Sequence, residues 1–195
     1  KDKLNFRGNV FLNKFTDLIV EESGTYIYEY STGAEAGTND TLPALINSNV
    51  ARARLYGFDM TMSSNIMTNT VLHGTVSFVR GEDMKNNDNL PLIPPLHGRI
   101  GVKYHFSGIL TMELCSVLYS EQDKVAEGEQ PTDGYTLFDL SVYSEKFRYE
   151  HVTFQFFGGV ENIFDTAYRN HLSTNRGVIN YQPGRNIYMK MQIQF

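Results

Sequence analysis

Arg99-Ile100-Gly101-Val102-Lys103-Tyr104-His105-Phe106 decides the fold. Ile100, Val102, Tyr104 and Phe106 share one parity, and Arg99, Gly101, Lys103 and His105 the other. A period of two is the signature of an extended strand whose side chains alternate between faces. One face meets an apolar medium and the other a polar one.

The same alternation recurs outward in both directions. At the C-terminus Ile187, Met189, Met191, Ile193 and Phe195 oppose Tyr188, Lys190, Gln192 and Gln194. Leu4, Phe6, Val10 and Leu12 oppose Asn5, Arg7, Asn9 and Asn13 near the start. Similar stretches run through Phe58–Met62, Leu72–Phe78, Leu110–Leu118, Phe138–Val142 and Val152–Val160. That makes about eight strands, each near the 9–11 residues a bilayer-crossing strand needs, and helical periodicity is scarce. The chain reads as all-β.

Alternation alone also fits a soluble β-sandwich, which buries one face of each strand. The connections decide between the two. Short turns near 64–69, 106–108 and 145–150 alternate with long segments at 14–49, 81–95, 120–134 and 162–184. Short turns on one rim and long loops on the other are the mark of an outer-membrane barrel. In that frame Tyr56, Tyr104, Phe106, Tyr119, Tyr135 and Tyr143, near strand ends, are expected in the aromatic girdles. Arg7, Asp59, Arg99, Lys103, Glu113, Asp139 and Glu161 are expected on the lumen wall.

Composition agrees. The 195 residues are 41% hydrophobic and 20% charged, which suits one folded domain and not a disordered chain. A net charge of −5 leaves no basic footprint for nucleic acid. Cys115 is the only cysteine, which excludes an intrachain disulfide and a Cys-rich zinc site. No apolar run reaches the length of a spanning helix. Lys1-Asp2-Lys3 does not open a signal peptide, so a mature or truncated chain is expected.

The segment Gly159-Val160-Glu161-Asn162-Ile163-Phe164-Asp165-Thr166-Ala167-Tyr168-Arg169-Asn170-His171, followed by Gln182-Pro183-Gly184-Arg185-Asn186 and a terminal Phe195, resembles the last two strands of TonB-dependent outer-membrane receptors. Leu90–Gly101 and Ala53–Asp59 resemble a loop-to-strand entry and an Arg-x-x-Gly-aromatic-acid strand of the same family. The resemblance implies an antiparallel transmembrane β-barrel, of which residues 1–195 supply about eight C-terminal strands of a barrel of about 22. The plug domain and the TonB-engaging box are absent from this sequence, so the rest of the barrel and the plug are expected partners. Eight strands cut from a wider barrel leave two unpaired edges. A self-contained eight-stranded barrel, acting as an adhesin or anchor, is the structural rival.

The resemblance further implies outer-membrane import, in a Gram-negative bacterium, of a scarce nutrient such as a ferric siderophore. TonB, outer-membrane lipid and the barrel-insertion machinery are the other partners it implies. Tyr26, Tyr28, Tyr168, Arg169 and His171 are the expected ligand contacts, and Tyr188, Met191, Ile193 and Phe195 the expected assembly signal. From the residues themselves, no nucleophile and base stand at a catalytic spacing, the five histidines form no close metal-ligand pair, and no cofactor or resident metal is expected.

Overall fold

A computed structural model describes residues 4–29, 31, 37–106, 108–175 and 181–195. They form one antiparallel sheet. Its strands are β1 (Leu4–Glu29), β2 (Asn39–Met67), β3 (Thr70–Asp83), β4 (Asp88–Asn89), β5 (His97–Phe106), β6 (Leu110–Tyr119), β7 (Tyr135–Ser144), β8 (Phe147–Tyr149), β9 (Val152–Glu161) and β10 (Asn186–Gln194), with a single-turn helix α1 (His171–Asn175) before the last. The order β1-β2-β3-β5-β6-β7-β9-β10 keeps neighbours in sequence adjacent in space, with β4 on β3 and β8 on β9 as short additions. The main path therefore has the eight strands that alternation predicts, and it stays open: among the described residues β1 and β10 lie at its two ends.

Register carries the alternation across the sheet. Val102 pairs with Leu114 and Leu114 with Leu140, while Met191 pairs with Phe156 and Ile193 with Phe154. These side chains form a continuous apolar face, and Ile100, Val102, Leu114, Met189, Met191 and Ile193 stay exposed on it. The opposite face carries Arg99, Lys103 and Glu113. Tyr104 and Phe106 lie on the apolar face with ring centroids 4.5 Å apart, in an edge-to-face pair at the short-turn rim. Tyr119, Tyr135 and Tyr143 do not join them. They share parity with Glu113 and Asp139 and therefore sit on the polar face, because an aromatic near a strand end goes to whichever face its register dictates.

The segment expected as a long loop at 14–49 is mostly strand. β1 and β2 pair without a register shift from Leu4 opposite Ser64 to Glu29 opposite Asn39, with Asp17, at φ 55°, dropping out of the ladder. At about 3.4 Å per residue this hairpin is more than twice as long as a bilayer-crossing strand. Beyond the apolar band both faces meet water, so nothing enforces alternation, and the ladder continues through its backbone hydrogen bonds. Near the base of this projection the core gathers: Val50, Ala53 and Leu90 are buried, packed by Leu18, Val20, Leu55 and Ile93. The 81–95 segment thus turns back onto the sheet.

Gly159 marks a close approach between strands. A Cβ built there would meet the Leu140 carbonyl oxygen at 2.7 Å and the Tyr188 hydroxyl at 2.6 Å. Gly159→Val is expected to destabilise the β7-β9-β10 region by about 1–3 kcal/mol. A lower unfolding midpoint of the detergent-refolded protein, against an unchanged midpoint for the exposed control Ile187→Val, is the check.

Candidate functional site

The long-loop rim is stapled by buried side chains. Glu129 accepts hydrogen bonds from Leu92 N at Oε1 (2.7 Å) and from Ala126 N at Oε2 (3.0 Å), tying the β6–β7 loop to the β4–β5 loop. Gln122 Nε2 donates to Ile93 O at 2.8 Å, and Asn89 Nδ2 to Val125 O at 2.8 Å. The β9–β10 loop joins through α1, where Asn175 accepts from Gln130 N (2.6 Å) and donates to Gln130 O (3.0 Å). Asn170 caps that turn, its Oδ1 accepting from Ser173 N at 3.2 Å. Buried backbone groups of long loops must find partners, and here side chains of the adjacent loop supply them.

His171 sits inside this junction, 3% exposed, with Nδ1 3.1 Å from both Thr132 Oγ1 and Asn175 Nδ2. The Asn175 amide also donates toward Gln130 O and His171 O, and the other ring nitrogen, Nε2, is buried without a partner. Burial lowers the imidazole pKa, and the opposing charge of Glu129 only partly offsets it.

An aromatic column stands beside the junction on the polar face. His97, Tyr119, Tyr135 and Tyr168 follow one another with ring centroids 5.1, 4.7 and 4.5 Å apart, the first two steps nearly parallel. The column crosses β5, β6, β7 and the loop after β9. At its foot lies a cavity of about 650 Å³ lined by Tyr119, Tyr135, Tyr168, Asp139, Glu161 and Gln182, among others. Asp139 Oδ1 accepts from Asn162 N at 2.9 Å, and Glu161 Oε2 from Asn186 Nδ2 at 3.1 Å. That volume and mix of rings with convergent polar groups suit a small ligand.

Deeper on the polar face, Glu113 gathers Arg99 (3.5 Å), Lys103 (3.4 Å) and His73 (3.1 Å). The His73 nitrogen is close enough for ion pairing but lacks hydrogen-bond alignment. Room for its ring comes from Gly101, where a Cβ would lie 2.6 Å from Nε2. Arg99 Nε also points at Cys115 Sγ, 2.6 Å away. Of the charges expected on this wall, Arg99, Lys103 and Glu113 form one cluster, whereas Asp139 and Glu161 line the cavity beside the aromatic column.

The expected ligand contacts fall in three places. Tyr168 ends the aromatic column. Arg169 lies beside it, 3.9 Å from the fully exposed Asp133, a pairing that contributes little. His171 lies behind them in the loop junction, and Tyr26 and Tyr28 stand on the projecting arm of β1 opposite Leu42 and Asp40. Tyr119 and Tyr135, expected in the girdles, and Glu129 and Asn175 are not among the expected ligand contacts. Tyr119 and Tyr135 flank the 120–134 loop, and any hairpin closed there sets them face to face, which is the signal that could have found them. No comparable signal marks Glu129 or Asn175, whose partners come from distant loops.

Residues 1–163 match the family model described as TonB dependent receptor-like, beta-barrel. Among solved structures, the chain is similar to the copper transporter OprC, with 20% identity and a TM-score of 0.71 over 97% of this chain and 28% of that one. It is similar also to the ferric citrate transporter FecA, at 20% identity and TM-score 0.64 over 97% and 28% of the respective chains. The siderophore receptor PirA from Acinetobacter baumannii gives 17% identity and a TM-score of 0.62 over 96% and 29%. The chain spans less than a third of the length of each. No curated protein matches the sequence.

The neutral His171 makes the loop junction sensitive to acid. With its pKa lowered in the fold, the imidazole takes up a proton more readily once the junction opens, so the stability it contributes is whole above the free histidine pKa of about 6.5 and is lost as pH falls below it. Backbone hydrogen exchange at Gln130 and Thr132, corrected for intrinsic rates, is expected to accelerate several-fold between about pH 7.5 and pH 5, and His171→Gln to remove that dependence. Equal protection at both pH values would show that His171 does not hold the loops.

Proposed function

Because the chain belongs to the TonB-dependent receptor-like β-barrel family, we propose that it forms the C-terminal wall and mouth of an outer-membrane receptor. That receptor imports a scarce nutrient, specifically a metal chelate such as a ferric siderophore, with energy delivered through TonB to a plug domain. The family is one of transporters of the outer membrane, and the three neighbours above are named for copper, ferric citrate and siderophore uptake. The observation that carries the reading is the two-faced sheet: a continuous apolar face one bilayer tall, a polar face behind it, and the long loops gathered on one rim.

In this reading the apolar face meets lipid and the polar face meets the plug. The cavity beneath the aromatic column receives part of the chelate, contacted by Tyr168, with Arg169 meeting it on the other side of that ring and Tyr26 and Tyr28 reaching further out along the hairpin. His171 supports that surface from behind by holding two loops together. The open path between β1 and β10 favours a segment of a wider barrel over a barrel closed by these strands alone. In the wider barrel, upstream strands cover both edges. The last strand, with Tyr188 on the polar side, Met191 and Ile193 on the lipid side and an almost fully exposed Phe195, is the segment the insertion machinery reads.

The test is made on the full-length receptor in its own cell. It is expected in the outer-membrane fraction, and growth on a ferric chelate as iron source is expected to require both the receptor and TonB. Recovery in the inner membrane or the soluble fraction, or TonB-independent growth, contradicts the reading. Phe195→Ala is expected to lower outer-membrane yield several-fold without changing the properties of the molecules that insert. Leu114→Arg, at the middle of the lipid face, should cost about 2–4 kcal/mol of stability in bilayers, whereas arginine in place of Ser141 on the polar face should cost far less.

A further inference from the structure

The long-loop side and the rest of the chain carry opposite charge. Fifteen of the 22 acidic residues, but only six of the 17 basic ones, fall in segments 15–53, 81–96, 120–134 and 162–185. Those segments have an excess of nine formal negative charges, and the spanning strands and short turns an excess of four positive ones. The cavity under the aromatic column opens on the negative side.

We propose that the mouth selects cargo by charge, admitting a chelate that carries a positive group such as an ammonium and disfavouring an anionic one. The inference rests on the receptor reading above and narrows its substrate class. Two effects act in the same direction. At long range, a rim of one sign raises the local concentration of the opposite charge and steers its approach. At short range, tyrosine faces attract a cation within about 6 Å of the ring, and Asp139 and Glu161 offer carboxylates in the same cavity.

Burial raises the Tyr168 hydroxyl pKa, with smaller contributions in the same direction from Asp139, Tyr119 and Glu161. Among the described residues Arg185 is the cation that lines the cavity, and its backbone N–H is bonded to Asp165 Oδ1 at 2.7 Å. Arg169 lies on the far side of Tyr168, near Asp133.

Three probes built on one ferric trihydroxamate separate charge from shape: the chelate with a free terminal ammonium, its acetylated neutral form and its succinylated anionic form. Binding to the full-length receptor in detergent is read by quenching of tyrosine fluorescence. At low salt the ammonium form is expected to bind about tenfold more tightly than the anionic one, with the neutral form between them. At about 1 M salt, where the screening length falls to about 3 Å, the gap should shrink markedly. The paired changes Asp139→Asn and Glu161→Gln, which keep an acceptor oxygen at each position, should shrink it at low salt. Equal affinities, the reverse order, or no binding of the ammonium form at millimolar concentration overturns the proposal. Tight binding of the anionic form alone would overturn it while leaving the receptor reading intact, since that reading stands or falls on fractionation and TonB-dependent growth.

Discussion

Backbone hydrogen bonding is the constraint on which everything else in this molecule rests. In a lipid environment each peptide N–H and C=O must be paired inside the protein, and a sheet pairs them only between neighbouring strands. The long, nearly unbroken ladders follow from this, as does a register that holds the apolar set on one face from β1 to β10. A slip of one residue would turn Leu114 and Val102 toward the polar side and bring Glu113 and Lys103 to lipid. The ladder therefore fixes the chemistry of both faces at once.

Where the sheet leaves the apolar band, side chains take over from the ladder. The rim loops contain few regular elements, yet they are held by Glu129, Gln122, Asn89 and Asn175, each bonding backbone of another loop. Polar groups of this kind are costly to bury alone and stabilising when fully paired. They turn three loops into one firm surface, against which the aromatic column and the cavity below it keep their shape. Loops held in this way cost any ligand less to bind, because one that had to order them itself would bind more weakly.

The polar face divides along its length. Midway along the strands, one carboxylate, Glu113, is paired with Arg99 and Lys103 and is structurally committed. Near the mouth, Asp139 and Glu161 stand among tyrosines, and the loops above them are acidic. The neutralised wall below and the negative vestibule above use the same residue types, and their difference lies in how many cations each carboxylate finds within reach.

The sequence by itself determined the strands, their faces and the family. Alternation such as that of 99–106 and 187–195 follows from a local rule, since successive side chains of a strand must point to opposite sides. It failed where that rule has no force. The arms at 15–29 and 39–53 lie outside the apolar band, meet water on both faces and lose alternation, so their continuation as strands shows only in their pairing. Tyr119, Tyr135 and Tyr143 were assigned to the wrong face because an aromatic residue suits either environment and register alone chooses. The loop rim was legible only in part: Tyr168 ends the aromatic column, but the column, the cavity and the burial of His171 depend on residues such as Thr132 and Asn175 arriving from segments far apart in the chain. Contacts between loops leave no period in a sequence, and only the tertiary structure brings them together.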